Sequence, residues 1–140
     1  MPSHGARRTL LAAREDVWSF LAEPHHLGDW WPGIAAVRPD RRGLAPGARW
    51  EVVAPDRPGL TRPRQATETL LVRDVRPRER IAFHLTGRRL DVELRLRARE
   101  PNRTDVELLV SGPWLVGFGR RLPERALDRL HALVQTGAEE

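Results

Sequence analysis

The sequence predicts an α+β fold: a curved antiparallel sheet of about seven strands, in the order β-α-α-β6-α, wrapped around a long C-terminal helix. Three observations carry that expectation. In the last thirty residues, Leu115, Phe118, Leu122, Ala126, Leu130, Leu133 and Val134 fall at intervals of three and four. Arg120, Arg121, Arg125 and Arg129 lie mostly off that stripe, so one face of a helix is apolar and needs cover. Between residues 34 and 111 the period changes to two. It is clearest where Leu90, Val92, Leu94, Leu96 and Ala98 alternate with Asp91, Glu93, Arg95, Arg97 and Arg99, which requires one buried and one wet face. The connections from Ala48 onward are short, as in an antiparallel meander. A sheet with one wet face must cover the other, and the terminal helix is the large apolar element left to do so. Burying about seven of its side chains contributes roughly 10–20 kcal/mol before chain entropy is subtracted, an upper bound.

Taken in order, residues 6–12 read as a first strand. Residues 14–23 read as a helix with Glu15 and Asp16 in the first turn, where the dipole favours anions, and with Val17, Phe20 and Leu21 on one face. Pro24 stops it. Residues 25–31 form a second short helix that Pro32-Gly33 closes. Strands are expected at 34–38, 48–54, 67–76, 80–86, 90–99 and 104–110, with turns at 40–47, 87–88 and 101–103. Residues 55–63 hold three prolines and a glycine, which predicts a loop. The final helix begins either near Trp114 or at Pro123, since Gly117 and Gly119 weaken its first third and proline suits a first turn.

The chain has 140 residues, the size of one domain over 1–140. It contains no cysteine, which excludes disulfides and thiolate chemistry. No apolar run reaches membrane-span length, and the stretch after Arg7-Arg8 is cut short by Arg14, Glu15 and Asp16, so a cytoplasmic protein is expected. The net charge of +5 raises nucleic acid as a partner. Composition argues against it: all 24 basic residues are arginine, and they are interleaved with 19 acids.

Three stretches carry a resemblance to a known family. They are residues 14–24 (REDVWSFLAEP) followed by Trp30-Trp31-Pro32, residues 72–81 (VRDVRPRERI), and residues 126–133 (ALDRLHAL). Together they resemble the helix-grip fold of the START, birch-pollen-allergen and polyketide-cyclase (SRPBCC) superfamily, in its small bacterial polyketide cyclase/dehydrase-like branch. The resemblance spans essentially the whole chain. It implies a cavity between sheet and terminal helix and is nearly silent on chemistry, because such families include cyclases, lipid carriers, receptors and cochaperones. Function is then a matter of the site.

Two adjacent tryptophans on one short helix should not both enter the core, which places Trp30 or Trp31 at the cavity rim, over an apolar ligand. Trp50, Phe83, Trp114 and Phe118 are the other candidate ligand-lining residues, with core packing as their plainer role. The weak catalytic candidates are Glu68, Arg73 and His84. Glu68 faces inward if Leu70 and Val72 do, Arg73 if Leu71 and Val75 do, and one parity holds along an unbulged strand. His84 has outward parity beside Phe83 and Leu85. His25 and His26 diverge and have no carboxylate at ligand spacing, so no metal is expected. No cofactor motif is present either.

These residues support three readings. The first is a carrier of a small apolar, aromatic or lipid-like molecule. The second is a polyketide cyclase or dehydratase, which an acidic acyl-carrier protein would meet at an arginine-rich mouth. The third is an interaction protein whose cavity is filled by core.

Overall fold

The computed structural model describes residues 3–54, 67–112 and 121–138. Its elements are β1 (Ser3–Leu10), α1 (Arg14–Ala22), a 3-10 turn (Pro24–His26) running into α2 (Leu27–Trp30), β2 (Ala36–Arg38), β3 (Arg49–Val53), β4 (Thr67–Arg76), β5 (Arg80–Leu85), β6 (Leu90–Glu100), β7 (Arg103–Ser111) and α3 (Leu122–Ala138). The seven strands form one antiparallel sheet in the order β1-β7-β6-β5-β4-β3-β2. The predicted meander is therefore present from β2 to β7, and β1 closes the other edge against β7.

Directly opposed residues in an antiparallel pair share a face. Val106 of β7 opposes Leu96, and Leu108 opposes Leu94, and all four are buried. Glu107 opposes Arg95 on the other side. The inner face is thus apolar and the outer face charged, as the alternation requires. Helix α3 lies mainly against β1, with contacts to β7, α1 and α2. Its buried side chains are Ala126, Leu127, Leu130 and Val134, while Leu133 is 38% exposed. The buried stripe follows i, i+4 spacing with Leu127 beside it, which leaves Leu133 on the flank.

Two expectations change. The first strand ends at Leu10 rather than residue 12, because its partner begins at Arg103 and the last pair is Leu10 with Thr104. Ala12 instead turns inward, and the buried Thr104 hydroxyl donates to its carbonyl at 2.8 Å. Strand β4 is not unbulged. Val72 opposes Phe83 and Asp74 opposes Ala82, so Arg73 is the extra residue. The parity flips there: Leu70 and Val72 are buried ahead of the bulge, and Val75 packs on the core after it. The described helix begins at Leu122 with Pro123 in its first turn, and Arg125 N donates to Arg121 O at 2.9 Å. Trp114, Phe118 and the predicted loop at 55–63 lie outside the described residues.

The turn at 40–47 is built on Asp40. Its carboxylate accepts from Arg42 N at 3.0 Å and Arg49 N at 2.9 Å, and the bond from Arg49 is the main reason its pKa is lowered. The Trp50 indole donates to Gly43 O at 2.9 Å, which ties the turn to the inner face.

Candidate functional site

Among the described residues, those predicted to line an interior site enclose little space. Leu21, Leu27, Trp30 and Leu44 face Trp50, Leu70, Val72 and Phe83 across a void of about 20 Å³. A cavity needs about 10–15 Å³ to hold one water, so this space suits a solvent molecule rather than a ligand.

Both tryptophans of the pair are inside, Trp30 at 3% and Trp31 at 0% exposure. This corrects the expectation that one would sit at a rim. Helix α2 ends at Trp30, and Trp31 is already extended at φ −88° and ψ 120°. The change of backbone state between neighbours lets both rings enter the core on different headings. They meet edge to face at 5.6 Å, and Trp31 meets Phe83 in the same way at 5.8 Å. The Trp31 indole nitrogen is buried with no hydrogen-bond partner among the described residues.

The three polar candidates do not converge on the interior: Arg73 and His84 meet at Asp91 on the outer face, and Glu68 stands apart. Glu68 has the inward parity of Leu70 and Val72, and its side chain is 11% exposed, but its carboxylate closes a turn. Oε1 accepts from Gly87 N at 3.0 Å and Arg88 N at 3.2 Å, and Oε2 pairs with Arg88 Nε at 3.0 Å. Arg88 in turn donates from Nη2 to Gly33 O at 2.6 Å. Gly33 has φ +88°, and a Cβ there would lie 2.9 Å from the Arg88 guanidinium. This clamp joins β4, the β5–β6 turn and the loop after α2. Sequence reasoning passed over Arg88; the one signal was Pro32-Gly33, which marked a special turn without naming its partner.

Arg73 stands on the bulge, 60% exposed, with Nε 4.0 Å from Asp91. His84 is on the outer face as its parity predicted, and its Nδ1 lies 2.9 Å from Asp91 Oδ1. None of the three borders the void, where the charged residue is Glu23. Glu23 has its own partner: it accepts from His25 N and contacts His25 Nδ1 at 2.7 Å, and the side-chain bond is the main cause of its lowered pKa. His26 stacks on Phe20 at 4.2 Å and its Nδ1 lies 2.8 Å from Phe20 O. Among the described residues no group of His, Cys, Asp or Glu is placed to hold a metal ion.

The large open site is elsewhere. At the end of the strands away from the clamp, a groove of about 1100 Å³ runs over Arg7, Arg80, Arg95 and Arg97 and past Arg14 at the start of α1. Eight arginines and three carboxylate residues line it. Arg80 is held by Asp74 at 2.6 Å and Glu93 at 2.9 Å, and Glu93 also takes Arg95 at 2.5 Å. Burial raises the Glu93 pKa, but the bonds from Arg95 and Arg80 outweigh it and the net shift is downward.

No protein-family model matches the chain, and no curated protein matches it. Solved structures do. Protein NE0264 from Nitrosomonas europaea is similar at 17% identity and a TM-score of 0.75, over 96% of this chain and 95% of that one. An AHSA1-like protein from Aeromonas hydrophila is similar at 16% identity and a TM-score of 0.75, over 99% and 96%. XoxI from Bacillus cereus is similar at 14% identity and 0.72, over 100% and 97%. At these identities the likeness establishes the fold, a helix grip of sheet on helix along the whole chain. Among the described residues no helix is long and apolar enough to cross a membrane.

Proposed function

We propose that the chain is a non-catalytic interaction module, a helix-grip domain filled by its own core that binds its partner through its outer face. One observation carries this reading: the interior void is about 20 Å³ while the outer groove is about 1100 Å³. Small-molecule sites usually occupy roughly 300–1,000 Å³. The cyclase reading needs polar groups converging inside the pocket, whereas Arg73 and His84 share Asp91 on the outer face and Glu68 is engaged by the β5–β6 turn. Native mass spectrometry of the protein as purified, with an ANS titration of the folded chain, tests the proposal. A bare mass and no ANS enhancement are expected. A stoichiometric apolar adduct would sink it and restore the carrier reading.

A second reading has its own support in Trp31, whose buried N–H has no partner among the described residues. A small apolar molecule with one hydrogen-bond acceptor, admitted by movement of the core, would satisfy that donor. Its signature is an adduct whose release shifts tryptophan fluorescence and that Trp31→Phe no longer retains.

A further inference from the structure

The outer groove contains more positive charge than its own surroundings neutralise. Arg7 pairs with Glu107 at 2.6 Å, Arg8 with Asp128, and Arg80 and Arg95 share Glu93. Arg76 reaches Asp74 at 3.7 Å and Arg99 reaches Asp105 at 3.8 Å, both loose. Arg97 opposes Asp105 across the β6–β7 ladder and is the natural partner of that carboxylate. Asp105 is already engaged by the Thr9 hydroxyl at 2.7 Å and by Arg99. Arg97 and Arg14 therefore line the groove without an ion pair or side-chain hydrogen bond among the described residues.

We propose that this groove binds a small, multiply charged oxyanion of the phosphate type. The proposal rests on the reading that the outer face is the working surface, and it names the chemistry of the occupant. Guanidinium groups present planar forks of donors that match phosphate oxygens two at a time. Arg97 and Arg14 supply unclaimed forks, and the loosely held Arg99 and Arg76 have little to lose by turning toward a ligand. The groove is a concave space of about 1100 Å³, which a compact anion can enter and which a flat acidic protein surface would span at its rim.

The probe is inorganic tripolyphosphate, titrated into the full chain by calorimetry at low ionic strength. Saturable binding with one site is expected, weakening as salt rises. Arg97→Ala or Arg14→Ala should each weaken it about tenfold, the equivalent of one charge-assisted contact. Arg38→Ala removes the same charge from β2, away from the groove, and should change affinity less than about twofold. Equal losses in Arg38→Ala and Arg97→Ala would reduce the effect to net charge and overturn the proposal. So would absence of binding at millimolar tripolyphosphate, or binding of poly-glutamate without tripolyphosphate, which points to an acidic protein surface. Thermal unfolding of each variant confirms that it is folded. An apolar adduct in the purified protein would defeat the filled-core reading and leave this result standing, so the two failures are separable.

Discussion

Along β6, Leu90, Val92, Leu94 and Leu96 are buried at 5% exposure or less, while Asp91, Glu93, Arg95 and Arg97 alternate with them on the other side of the same strand. The inner row gains its stability from water exclusion and close packing, which tolerate neither a void nor an added polar atom. The outer row gains little from each ion pair, because exposed pairs are screened and their side chains must be ordered. One face is consequently specified by volume and the other by charge. Among the described residues the inner face encloses a void of about 20 Å³, and the outer face has charge left over. Function is best sought where stability is least concerned.

That contrast is broken most directly from the inside. Leu130 of α3 is fully buried, and Leu130→Ala should cost about 3 kcal/mol, within the 2–5 kcal/mol of similar truncations. Urea unfolding followed by circular dichroism reads it. A loss below about 1 kcal/mol would mean that helix and sheet are not closed on each other.

The clamp is the next largest effect, because it is a polar device on the inward side. Glu68→Ala leaves Gly87 N, Arg88 N and the Arg88 guanidinium without their shared acceptor. With Glu68 mostly buried and Arg88 31% exposed, a loss of about 2 kcal/mol is expected. Glu68→Gln keeps one acceptor oxygen and should recover part of it. If both variants unfold at the wild-type urea midpoint, the clamp does not hold the β5–β6 turn.

Much of this was legible from residue pattern, and the parts that were not share a cause. Period two places the strands: β4 occupies residues 67–76 as predicted, and β6 extends the expected strand to Glu100. Period alone cannot register an insertion, so the bulge at Arg73 made two parities look exclusive when β4 uses both in turn. Nor does adjacency dictate direction once the backbone changes state, and the break between Trp30 and Trp31 let both rings inside. The Glu68–Arg88 contact joins residues twenty apart through a turn whose φ of +55° at Arg89 is set by the hairpin. Trp50 and Phe83 were placed on the inner face correctly, since nothing interrupts the alternation around them.

For the partly exposed charged groups the effects shrink and become pH-dependent. Glu93 is held below the ordinary carboxylate range by Arg95 and Arg80 despite the opposing effect of its partial burial. Its contribution is complete at neutral pH and is lost as pH falls through the folded value. Glu93→Gln should cost about 1 kcal/mol at pH 7, and the gap to wild type should close on acidification below about pH 4. His131 has the opposite chemistry and the same direction. Burial first, and then Arg8, lowers its pKa, while Asp128 opposes them. The unfolded chain therefore binds its proton more readily, and stability falls as pH drops below about 6.5. His131→Gln should flatten that limb in urea titrations at pH 5 to 7, by less than the Glu93 effect.

The smallest effect belongs to one of the three weak catalytic candidates. Arg73 is charged, lies between two inward-facing valines and is the extra residue of a bulge, and bulges often re-aim a side chain at an active site. Here the bulge serves the core. It lets Leu70 and Val72 pack before it and Val75 after it, and the inserted residue is turned out to solvent 4.0 Å from Asp91. Arg73→Ala should leave the urea midpoint within about 0.5 kcal/mol of wild type, since no buried group loses a partner. Deleting Arg73 is a different experiment, because it removes the bulge and leaves Val72, Asp74 and Val75 opposite Phe83, Ala82 and Ile81 in regular alternation, with Val75 still inward and Asp74 still beside Arg80. The deletion should therefore be about as mild as the alanine variant, and a loss above about 2 kcal/mol in urea unfolding would show that the inner face depends on the bulge itself.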